Sequence, residues 1–103
     1  MARTHPVRAL PPTHPGAVLR EDVIPALEKP KAEIARLLKV SRQTLYDILG
    51  ERQPVTPEMA LRIGKLCGNG PTVWLNLQRN YDVWKAAERI GDEVADIPTL
   101  HAA

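Results

Sequence analysis

Between Ser41 and Asp47 the run Ser-Arg-Gln-Thr-Leu-Tyr-Asp interrupts its hydrogen-bonding side chains only at Leu45. Groups of these types at this density suit the edges of nucleic-acid bases. A guanidinium such as that of Arg42 can pair with the two acceptors of guanine, and an amide such as that of Gln43 can match the donor and acceptor of adenine. Ser41 and Tyr46 add hydroxyls, and Thr44 can meet a thymine methyl or a phosphate. Lys31 before this run, and Arg52 and Gln53 after it, suit contact with a sugar-phosphate backbone, which positions a protein without carrying sequence information. Catalytic or metal chemistry has no comparable signal. His5, His14, His101 and Cys67 lack metal-ligand spacing, and no nucleophile elbow, phosphate loop or carboxylate pair stands out. No catalytic residue, metal or cofactor is therefore expected.

The elements that must position these side chains are helices. A first is expected from Gly16 to Leu27, with Pro25 forcing a kink or an early stop. A second runs from about Lys31 to Leu38 with Ile34, Ala35, Leu37 and Leu38 as its inward stripe. Only Lys39-Val40 separates it from a third, which starts after the N-cap residue Ser41, turns Leu45, Ile48 and Leu49 inward and stops at Gly50. Small Ala35 lets the third helix cross close to the second, and Val40, Leu45 and Ile48 can plug the angle between them. Thr56-Pro57-Glu58 combines a cap, a first-turn proline and an acid, and opens a fourth helix that ends at Gly68-Asn69-Gly70. Pro71 opens a fifth reaching Arg89 or beyond. Two amphipathic helices joined by a tight turn occur in many all-α proteins, so this pattern alone leaves a solvated outer face as the competing reading of residues 41 to 47.

Composition bounds the rest. A chain of 103 residues, 44% hydrophobic and 25% charged, is one domain's worth of ordinary globular protein. Its single cysteine, Cys67, excludes an intramolecular disulfide and suits a reducing compartment. Without an apolar run of membrane-spanning length or a secretory leader, a cytoplasmic location is expected. The net charge of +2 is small, but basic residues dominate in residues 1–20 and 31–52 and acids dominate from Asp82. The four aromatics are Tyr46, Trp74, Tyr81 and Trp84. Trp74, Leu77, Tyr81 and Trp84 form one stripe at helical spacing, which is either core or a contact between two copies.

The segment Ala32 to Leu45 resembles the helix-turn-helix of the phage-repressor-like (Xre-type) family. With His14-Pro15-Gly16, Leu19-Arg20-Glu21, Gly50-Glu51-Arg52, Trp74-Leu75-Asn76-Leu77-Gln78 and Tyr81-Asp82-Val83-Trp84, the chain from about residue 14 to 88 is similar to the HigA family of antitoxins. The chain is expected to form an all-α, five-helix DNA-binding domain over residues 15–90, between an arm (1–14) that Pro6, Pro11 and Pro12 make extended or disordered and a patternless tail (91–103) that frays. The resemblance implies a homodimer that binds double-stranded operator DNA in its own promoter, neutralises a HigB-type mRNA-cleaving toxin and is not itself an enzyme. A stand-alone Xre-type regulator without a toxin is the alternative. Ser41, Arg42, Gln43, Thr44 and Tyr46 correspond to the family's base-reading helix, and Arg52 to a backbone contact. Two positions depart from the family: Lys31 stands where Gln is frequent, and Lys39 where Gly is frequent, which makes a left-handed turn there costly.

Overall fold

The computed structural model describes residues 11–101, all of whose regular structure is helical. Residues 1–10, and with them most of the expected N-terminal arm, lie outside the described residues. The first helical run consists of α1 (Pro15–Val18), a π-helical turn (Leu19–Val23) and α2 (Ile24–Leu27). Pro25 neither stops nor breaks it. Proline has no N–H and crowds the carbonyl four residues back, and the helix meets this by widening one turn, so that the Ile24 N–H reaches the Leu19 carbonyl. Then follow α3 (Lys31–Leu38), α4 (Arg42–Leu49), α5 (Pro57–Cys67) and α6 (Thr72–Ala95).

α3 packs against α4 and α5, α5 against α6, and α1 closes over both α4 and α6. Ile34, Leu45, Ile48, Val55 and Ile63 are fully buried where these helices meet. Each such aliphatic side chain stabilises the fold by about 1.5 to 3 kcal/mol relative to exposure. Ala35 is buried at the α3–α4 crossing and Val40 is half-buried in the turn. Leu37, expected to face inward, is 41% exposed; in a helix of two turns the stripe is narrow, and Ile34, Ala35 and Leu38 fill it.

The ends also differ from expectation. His14, expected in the arm, is buried within the domain as the N-cap of α1. The stretch after Gly91, expected to fray, continues α6 to Ala95, with Ile90 outside helical geometry at φ −124°, ψ 18°.

Candidate nucleic-acid interface

α4 begins where Ser41 caps it. The Ser41 Oγ accepts the Thr44 N–H at 3.0 Å and donates to the Thr44 Oγ1 at 2.9 Å. The amides of Arg42 and Gln43 precede the first intrahelical bond and leave a partial positive charge at this end. Ser41, Arg42, Gln43 and Tyr46 are exposed and Thr44 is half-buried, so the first turn and a half of α4 presents hydroxyl, guanidinium, amide and phenol on one outward surface. Leu45, Ile48 and Leu49 anchor the opposite face in the core.

Three of the expected site residues share one network. The Gln43 Nε2 donates to the Asp47 Oδ1 at 2.8 Å. Arg52 donates to the same oxygen from Nε at 3.1 Å and Nη2 at 3.0 Å, and its Nη2 also reaches the Tyr46 carbonyl at 3.3 Å. Arg52 folds back because Gly50 leaves room: a Cβ there would run into the guanidinium. Lys31 lies exposed at the first residue of α3, and Gln53 is half-buried in the loop after α4. Among the described residues neither makes a side-chain hydrogen bond or ion pair with this network.

Of the Trp74–Trp84 stripe, Trp74, Leu77 and Tyr81 turn toward the protein itself. Trp74 is buried, its Nε1 donating to the Asn69 Oδ1 at 3.1 Å, and Leu77 packs on the core beside it. Tyr81 meets the His14 ring edge-on, centroids 4.8 Å apart, and Trp84 lines a shallow groove with Pro12.

What holds α4 in place comes from residues that sequence reasoning missed. From α1's side, the Arg20 Nη1 donates to the Leu49 carbonyl at 2.6 Å and to Glu51 at 3.3 Å, capping the C-terminus of α4. From α5, the Arg62 Nη1 donates to the Leu38 carbonyl at 3.0 Å and so caps α3 at the turn. From α6, buried Gln78 accepts the Val55 N–H at 2.8 Å and donates to Asp82 at 2.9 Å, tying down the loop after α4. The contacts of these three with Leu49, Leu38 and Val55 each span more than twenty positions, and local pattern carries no signal at that range. Burial pushes the Cys67 thiol above its ordinary value, which disfavours its thiolate form. Among the described residues no group of three His, Cys, Asp or Glu side chains could hold a metal ion, and no helix is long and apolar enough to cross a membrane.

No family model matches the chain. An HTH-type transcriptional regulator of Haemophilus influenzae is 32% identical over 93 residues, covering 87% of each chain. Among solved structures, the Pseudomonas aeruginosa antitoxin HigA, seen with the higBA promoter, is 33% identical with a TM-score of 0.81 over 87% of this chain and 99% of that one. The antitoxin GraA in complex with its operator is 34% identical with a TM-score of 0.83 over 99% of this chain and 100% of that one. These relatives are regulators and antitoxins, not enzymes.

Proposed function

The chain belongs to the HigA family of Xre-type helix-turn-helix antitoxins, and on that footing we propose that it is a repressor and antitoxin acting in the cytoplasm. Its α4 reads double-stranded operator DNA in the major groove, and the same protein neutralises a HigB-type mRNA-cleaving toxin. The observation that carries the reading is the exposed row Arg42, Gln43 and Tyr46 at the N-terminal half of α4, in a chain whose solved relatives include two seen with promoter or operator DNA. The free amides at that helix end favour a phosphate, and Ser41 and Thr44 flank it. Lys31, Arg52 and Gln53 contribute backbone contacts on either side.

A homodimer would place two copies of α4 about 34 Å apart, one turn of duplex. With Trp74 and Leu77 taken up by the core, that contact falls to the opposite face of α6, where Val83 is 62% and Ile90 37% exposed at heptad spacing.

The test joins a gel shift on the chain's own upstream DNA, at fixed salt, to co-expression with the adjacent gene. Arg42→Ala should weaken operator binding by about 1 to 3 kcal/mol and relax specificity at one base pair. Unchanged binding removes Arg42 from the reader. Growth rescue and co-purification with a small toxin support the antitoxin role; operator binding without either favours the stand-alone regulator.

A further inference from the structure

We infer that Asp47 is a specificity-determining positioning residue: it fixes the Gln43 side-chain amide so that the base pair read there must present the edge of adenine rather than that of guanine. The inference rests on the proposed reading of α4 as the base-reading helix. It goes beyond that reading by assigning a role to a residue outside the DNA contacts.

A glutamine amide has one acceptor and two N–H donors. Left free, it can swing to offer acceptor and donor together, matching the adenine N6–H and N7, or to turn donors toward guanine, whose N7 and O6 are both acceptors. Asp47 removes that freedom. It lies one helical turn after Gln43, on the same face, and its side chain is only 26% exposed. A carboxylate offers acceptors alone, so only the amino side of the amide can face it, as the 2.8 Å Nε2 to Oδ1 contact records. One N–H is thereby spent. What remains for DNA is one acceptor and one donor, the complement of adenine.

The carboxylate is itself held in place by hydrogen bonds. Two Arg52 nitrogens hold the same Oδ1 at 3.0 and 3.1 Å, Arg52 is held in turn by the Tyr46 carbonyl, and the bare Gly50 gives its guanidinium room to lie there. Gln43 therefore meets DNA with its amide already oriented, at less cost in side-chain freedom than a mobile glutamine would incur. The negative charge behind it also disfavours the acceptor-rich edge of guanine.

The experiment is selection from a library of operators carrying each base at every position, with wild type, Gln43→Ala, Asp47→Ala, Asp47→Asn and the Gln43→Ala/Asp47→Ala double variant, each checked for folding by its melting temperature. The pair read by Gln43 is the one whose preference Gln43→Ala abolishes. There wild type should favour adenine over guanine about tenfold. Asp47→Ala should lower that ratio to about twofold while leaving preferences at other positions in place. Asp47→Asn keeps an oxygen acceptor of the same shape and should retain part of the ratio, and should Asp47→Ala fail to fold it serves as the test. In the Gln43→Ala background, Asp47→Ala should change nothing at this pair. An unchanged ratio in a folded Asp47 variant, a wild-type preference for guanine, or an equal effect with and without Gln43 overturns the inference while leaving the DNA-binding reading intact. Failure of wild type to bind any operator overturns that reading, and this one with it.

Discussion

Lys39 shows what one residue costs in this fold. It closes α3 in the left-handed conformation, φ 62° and ψ 41°, with its own N–H on the Arg36 carbonyl at 3.1 Å and the Val40 N–H on Ala35 at 3.0 Å. That paired arrangement ends helices cleanly but favours glycine at its turning point, and a residue with a Cβ is held there at about 1 kcal/mol or somewhat more. The Arg62 contact with the Leu38 carbonyl offsets part of it. Lys39→Gly should therefore stabilise the protein by about 1 kcal/mol, raising the melting temperature by about 4 to 8 °C. A lower melting temperature would show that the lysine side chain contributes more than its backbone costs. The departure from the family was legible in the sequence, but Arg62 as its brace was not, because the two lie on different helices.

Between elements, α1 and α4 approach each other closely. Gly16 packs directly on the Ile48 carbonyl, and a Cβ at residue 16 would occupy the space of that backbone oxygen. Neither side is a flexible side chain that could step aside. Gly16→Ala should thus cost about 1 to 3 kcal/mol or more and, by pushing α1 away, loosen the Arg20 cap on Leu49 that orients α4. Denaturant titration should show the loss, and operator affinity should fall even under conditions where the variant is fully folded. A melting curve like wild type's would mean that α1 shifts without strain. The sequence signalled this glycine only through a resemblance; the contact that requires it spans 32 positions, from 16 to 48.

The molecule as a whole is closed by His14, where the first helix, the end of α4 and α6 converge. Its Nδ1 accepts the Gly16 N–H at 2.8 Å, and its ring stands edge-on to Tyr81. Both burial and that acceptor role require an uncharged Nδ1. Burial pushes the imidazole below its ordinary 6.5, opposed by Glu51 and Asp82, while Arg20 adds a smaller push down. Because the folded state holds this proton less tightly than the unfolded chain, the stability His14 provides is complete above about pH 6.5 and is lost as pH falls through and below that value. The melting temperature should stay level from pH 8 to 7 and decline between pH 6.5 and 5.5. His14→Asn keeps an acceptor for Gly16 and should flatten that decline while lowering stability throughout. A wild-type melting temperature that is level down to pH 5.5 would remove His14 as its source.

Local chemistry was enough to locate the helices and the outward surface of α4: Ser41 as a cap, Thr56-Pro57 as a start, and the alternation of inward aliphatics with Arg42, Gln43 and Tyr46 are properties of a few adjacent residues. Each depends on 3.6-residue periodicity or on a side chain reaching its own backbone, and such interactions are written in sequence order. Tertiary structure alone decided how that surface is held and presented. The π turn that accommodates Pro25, the Arg20, Arg62 and Gln78 braces and the inward turn of Trp74 and Leu77 all depend on which helix lies beside which. The Gln43–Asp47–Arg52 network lies between the two. Its members are near in sequence, but Arg52 comes back over Gly50 only because the packed loop after α4 turns it there.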